Sequence, residues 1–122
     1  MDAKSVAFKV IHLPKNYYTE KNSSLFTLLN ETGYFDLDNH LDEDNFVSSL
    51  KQYPECINDW LIWSDNKRTR IGWYFGIGAD QNYFVGYFPN DIIRPEKIFN
   101  DGNEACAYFI KQEIESIRKY HS

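Results

Sequence analysis

The chain has 122 residues but only two cysteines, one methionine, four prolines and six glycines. Cys56 and Cys106 show no C-x-x-C spacing and are too few for a disulfide scaffold, which predicts two reduced, packed thiols. No apolar run approaches the roughly 18 residues a spanning helix needs, so no membrane segment is expected. Met1-Asp2-Ala3-Lys4-Ser5 opens the chain without the apolar stretch and cleavage signal of a secretory peptide, and the expected location is the cytoplasm. Gly76-Ile77-Gly78 lacks the third glycine and following helix of a phosphate loop. No Gly-x-Ser-x-Gly elbow is present. The three histidines, His12, His40 and His121, form no pair at metal-ligand spacing. The expectation is a protein that is not an enzyme, with no catalytic residues, no metal and no cofactor. The alternative is a small-ligand-binding or enzymatic domain with a pocket between sheet and helices. There His40, whose carboxylate neighbours would raise its pKa, or a carboxylate would act as base.

What the chain has in quantity is rings and acids. Aromatics make up 17% of it, and eighteen acids against thirteen Lys and Arg give a net charge of -5. Phosphate binding needs clustered bases. The one such cluster, Lys67-Arg68-Thr69-Arg70, with Trp63 and Trp73 close in sequence, is small on an acidic chain, so direct nucleic-acid binding is not expected. The acids are unevenly placed. Between Lys21 and Lys51 there is no Lys or Arg, while Glu31, Asp36, Asp38, Asp42, Glu43 and Asp44 all fall there. Such a window is either a solvated face with helix-start acids or a docking patch for a cationic partner. Calcium is excluded by spacing: counting from Asp36, an EF-hand requires Gly and Glu where Leu41 and Val47 stand. Tyr34 and Phe35 sit among the acids as possible aromatic anchors.

The elements read as one α+β domain over residues 1–122. The alternation of Val6, Phe8 and Val10 in residues 5–13 predicts a first strand, closed by Pro14, and residues 15–22 read as a loop. Ser23 or Ser24 caps a short helix carrying Leu25, Leu28 and Leu29, stopped by Gly33. A second helix starts at Asp42-Glu43-Asp44-Asn45, ahead of Phe46, Val47 and Leu50. Residues 60–64, 70–77 and 83–88 are rich in aromatic and β-branched types and are separated by turn chemistry, predicting a three-stranded antiparallel meander. A last helix over 102–119 starts at Asp101 with Glu104 in capping-box spacing. It presents Cys106, Phe109, Ile110, Ile114 and Ile117 in one stripe, to be packed on the sheet. The expected order is β-α-α-β-β-β-α. Alternation cannot put all the sheet's rings on one face, so some are expected under residues 23–53 or in solvent.

Four segments carry a resemblance: Trp60-Leu61-Ile62-Trp63-Ser64-Asp65, the basic Lys67-Arg68-Thr69-Arg70, Gly72-Trp73-Tyr74-Phe75, and the late Ala105-Cys106-Ala107-Tyr108-Phe109-Ile110. Over roughly residues 58–118 the chain resembles small immunity proteins of bacterial polymorphic toxin systems, including those of contact-dependent growth inhibition. The resemblance implies a cytoplasmic antidote. It would form a one-to-one complex with a cognate toxin domain, often a nuclease with a basic substrate surface, and occlude its active or substrate-binding face. The toxin-binding residues expected from charge alone are Glu31, Tyr34, Phe35, Asp36, Asp38, Asp42, Glu43 and Asp44.

Overall fold

In a computed structural model of the chain, the described residues are 2–19, 24–37, 41–67, 72–89 and 94–120. They form an α+β fold of seven helices and one three-stranded antiparallel sheet.

The chain begins with a helix where a strand was expected. In α1 (Ala3–Ile11) the Asp2 side chain caps the start, accepting from Ser5 N at 2.7 Å. Val6, Ala7, Val10 and Ile11 are fully buried while Phe8 is 42% exposed. The strand reading required Val6, Phe8 and Val10 to share a face. The i, i+1, i+4, i+5 set makes an equally good helical stripe, and capping plus burial decide for it. Pro14 does not close a strand. It lies in the first turn of α2 (Leu13–Thr19), where a missing N–H costs nothing. Residues 15–19, read as loop, belong to that helix.

The next two starts follow the sequence. Ser24 caps α3 (Leu25–Glu31), accepting from Thr27 N at 3.1 Å. Gly33 leaves this helix at φ 90°, a conformation that glycine adopts without a side-chain clash. A short turn of helix, α4 (Tyr34–Leu37), follows. Asp42 opens α5 (Glu43–Gln52) with a reciprocal capping box: Asn45 N donates to Asp42 Oδ1 and Asp42 N to Asn45 Oδ1 at 2.9 Å. Phe46 and Leu50 are buried.

The expected strand at residues 60–64 is the second correction. These residues lie in α6 (Glu55–Lys67). On a strand Trp60 and Trp63 would face opposite ways. On the helix Cys56, Trp60 and Trp63 stand at i, i+4 and i+7, and all three are buried. The ring-rich composition signalled burial, which a helix supplies as well as a strand. Trp60 is fully buried and its Nε1 donates to the Ile11 carbonyl at 3.0 Å, fastening α6 to the end of α1. Truncating such a side chain costs about 3–5 kcal/mol.

The sheet is a meander, but one element later than expected. β1 (Gly72–Ile77) pairs with β2 (Tyr83–Phe88), and β2 pairs with β3 (Lys97–Phe99). Residues 78–82 turn as expected, with Gly78 N donating to Asn82 O at 2.8 Å. On the free side of β1 the Phe75 N–H donates to Ser64 Oγ of α6 at 2.8 Å, which satisfies part of that edge. α7 (Gly102–Tyr120) packs on the sheet as expected, and on α5 as well. Phe75 stacks on Phe109 at 5.4 Å, Trp73 meets Tyr108 edge-on, and Lys97 Nζ lies 4.6 Å over the Tyr108 ring. The stripe expected on α7 is buried at Cys106, Phe109, Ile110 and Ile114. On the other face of the sheet Tyr74 and Phe84 lie over the glycines opposite them, Gly86 and Gly76. The helices formed by residues 25–52 pack on α1, α2, α6 and α7, so they do not provide the cover anticipated for this face.

Candidate functional site

The acid window occupies α3, α4 and the start of α5. Glu31, Asp36, Asp42 and Asp44 are exposed and Glu43 is half-buried. Asp42, Glu43 and Asp44 stand at and just inside the N-terminus of α5, where the helix dipole favours negative charge. Among the described residues no Lys or Arg forms an ion pair with any of these five. Asp38 and His40 lie outside the described residues, as do Arg68, Thr69, Arg70 and His121.

The two rings of this segment part company. Phe35 is partly exposed and tilted against Phe26 at 5.2 Å. Tyr34 is fully buried, so it is not a surface anchor, a correction to the expectation from sequence. It is the internal clamp of the segment. Its hydroxyl donates to Glu115 of α7 and accepts from Lys111 Nζ at 2.9 Å, and the same ammonium donates to the Leu41 carbonyl at 3.0 Å. Arg118 pairs with Glu115. Burial of Glu115 opposes its ionisation. The hydrogen bonds from Tyr34 and Arg118, with the charges of Arg118 and Lys111, outweigh that effect and hold the carboxyl below its ordinary value. Lys111 and Glu115 of α7 thus tie down α4 through the Tyr34 hydroxyl, and the approach to α5 through the Leu41 carbonyl.

A second feature lies between sheet and helix. A groove of about 710 Å³ is lined by Trp73, Tyr87, Gln112, Glu115, Ser116, Arg118 and Lys119. Its aromatic wall is the cross-strand pair Trp73–Tyr87, T-shaped at 5.3 Å. A third feature joins residues distant in sequence: His12, Glu55 and Cys56 place ligand atoms within 4.8 Å of one another. Burial, reinforced by Asp59 and Glu55 and offset by Lys15, pushes the Cys56 thiol up to about 12. Burial also raises Cys106, where Cys56 is a contributing neighbour. Both thiols are free and packed, as expected. The groove lies between sheet and helix, where the alternative reading of the sequence expects a pocket, but neither its lining residues nor the His12 cluster is legible in the sequence. His12 had been placed on a strand, and no local spacing links it to α6. Among the described residues no helix is long and apolar enough to cross a membrane.

Compared with protein-family models, curated proteins and solved structures, the chain finds no match in any of the three. The functional reading therefore rests on the residues themselves.

Proposed function

We propose that this chain is an immunity protein, one that binds a cognate bacterial toxin domain one-to-one and neutralises it by covering its active or substrate-binding surface. The toxin domain is cationic and of the nuclease kind, and the complex forms in the cytoplasm by docking, without catalysis by this chain. The observation that carries the reading is the set of exposed carboxylates Glu31, Asp36, Asp42 and Asp44 on α3, α4 and the start of α5, none of which pairs with Lys or Arg among the described residues, with α4 tied to α7 through Tyr34. Such a surface attracts a basic substrate channel at long range and competes for it with phosphate.

The test uses charge reversal that spares the capping carboxylate of Asp42. Glu31→Lys, Asp36→Lys and Asp44→Lys together should weaken binding to the toxin domain encoded beside this chain by at least about 100-fold. The loss should fall largely on the association rate and shrink at high salt. Binding and protection that survive the triple reversal at physiological salt remove the acidic surface from the interface.

A second reading is favoured by the groove, whose size suits a small ligand. A melting temperature raised by one member of a metabolite panel, and not raised in Trp73→Ala, would support it.

A further inference from the structure

We infer a divalent-metal site of the zinc type where the end of α1 meets the first turn of α6, formed by His12, Glu55 and Cys56, whose nitrogen, oxygen and sulfur donors lie within 4.8 Å of one another. The site is separate from the acidic docking surface and does not depend on it.

The donor set is the first argument. Imidazole, carboxylate and thiolate together suit a borderline-soft ion, whereas calcium and magnesium take oxygen shells. Orientation is the second. His12 Nδ1 lies 2.8 Å from the Phe8 carbonyl oxygen. A carbonyl only accepts, so in the neutral ring the proton is on Nδ1 and Nε2 is the nitrogen left to bind a metal. A backbone carbonyl holding the far ring nitrogen is the usual support of a metal-bound histidine. The ring also packs in a three-ring cluster with Phe8, at 4.4 Å, and Tyr53, at 5.4 Å, which touch each other at 5.1 Å. Reach is the third argument. Tetrahedral zinc places its N, O and S ligands about 3.4–3.6 Å apart. From the 4.8 Å bound, the donors therefore need to close by at most about 1.2–1.4 Å. Glu55 is exposed and long enough to supply that movement.

Charge favours the ion as well. Glu55 and Asp59 surround the thiol with negative charge against the single opposing charge of Lys15. Binding exchanges the Cys56 proton for the cation, which supplies the positive charge that the buried thiolate otherwise lacks. Three protein donors leave a fourth position for water, the open zinc arrangement. The ion would join α1 to α6 beside the Trp60–Ile11 hydrogen bond and so stabilise the junction.

The experiment titrates the full chain, freed of metal by chelator, with Zn²⁺ and with Co²⁺. Expected are one equivalent bound, a thiolate-to-cobalt charge-transfer band, and a melting temperature raised by roughly 10 °C at a hundredfold excess of Zn²⁺ over Kd. Glu55→Gln, on the surface, and His12→Gln should each weaken the titration at least about tenfold. A His40→Ala/His121→Ala double variant should titrate like the parent. The proposal is overturned if the band is absent, or if the zinc response persists in Glu55→Gln and His12→Gln, or if it vanishes in the double variant.

Discussion

Replacing Tyr34 with Phe removes one oxygen atom from the interior and leaves the ring in place. That oxygen serves two charged partners, donating to Glu115 and accepting from Lys111. Hydrogen bonds to charged groups contribute about 1.5–3 kcal/mol each, so their sum is an upper bound. Two facts reduce it. The side chain of Glu115 is 32% exposed and water re-solvates part of it, and Arg118 still pairs with that carboxylate. Lys111 likewise keeps the Leu41 carbonyl. The expected loss is therefore about 1.5–3 kcal/mol in total, not twice that. At about 2.1 cal/mol/K per residue, 122 residues unfold with about 0.26 kcal/mol/K, so the midpoint should drop by roughly 6–12 °C. Urea unfolding followed by circular dichroism gives the same quantity independently, and its slope should stay unchanged because no surface is newly exposed. A loss under about 0.5 kcal/mol would refute the clamp, since the exposed charges would then have been solvated all along. In the proposed complex the same variant should also weaken toxin binding, because α4 loses its fixed position under Asp36.

Glu115 makes the fold acid-sensitive in a defined direction. Its folded pKa lies below its ordinary value of 4.5, so the stability it contributes is present above that value and is lost as pH falls through the lower folded pKa. Glu115→Gln should therefore be less stable than the parent near neutrality, and the gap should narrow below pH 4.5; a gap that stays constant with pH would show that the carboxylate's charge contributes nothing. A methyl group at Gly86 would meet the Tyr74 ring lying across it, and Gly86→Ala should cost about 1 kcal/mol as that half-buried ring swings aside. In a Tyr74→Ala background the same substitution should cost almost nothing, and an undiminished cost there would place the strain in the backbone.

Helix boundaries were legible where a polar side chain marks them. Ser24, Asp42 and Asp101 each announce a helix, and Gly33 ends one, because capping chemistry is local and acts through the residue's own neighbours. The hairpin of β1 and β2 was legible for the same reason, through turn residues 78–82. The two segments misread as strands share a cause. Residues 5–13 and 60–64 are rich in types that favour strands, and each carries an apolar pattern compatible with period 2 over a few residues. Only the longer helical repeats decide, from Val6 to Ile11 and from Cys56 through Trp60 to Trp63, and their weight comes from what they bury. β3 escaped notice because three residues, Lys97 to Phe99, offer no pattern, and they are a strand only because β2 presents an edge.

The site divides along the same line. The charge window needed no structure, since an absence of Lys and Arg over a long segment places negative charge outside whatever the fold. The role of Tyr34 was not legible, because its partners, Lys111 and Glu115, lie on the last helix. Nor was the junction of His12 with Glu55 and Cys56, whose meeting depends on two helices, α1 and α6, in segments where the sequence pattern suggests strands. This asymmetry is physical. A surface field adds up from charges near one another in sequence, whereas a clamp or a ligand cluster is made by burial, which brings distant segments together. The exposed carboxylates of α3 to α5 are therefore the part of this molecule that changes to its sequence can retune residue by residue. The anchors beneath it constrain one another: a change at Tyr34 is felt by Glu115 and Lys111, so substitutions among these three should be strongly non-additive, while those among Glu31, Asp36 and Asp44 should nearly add.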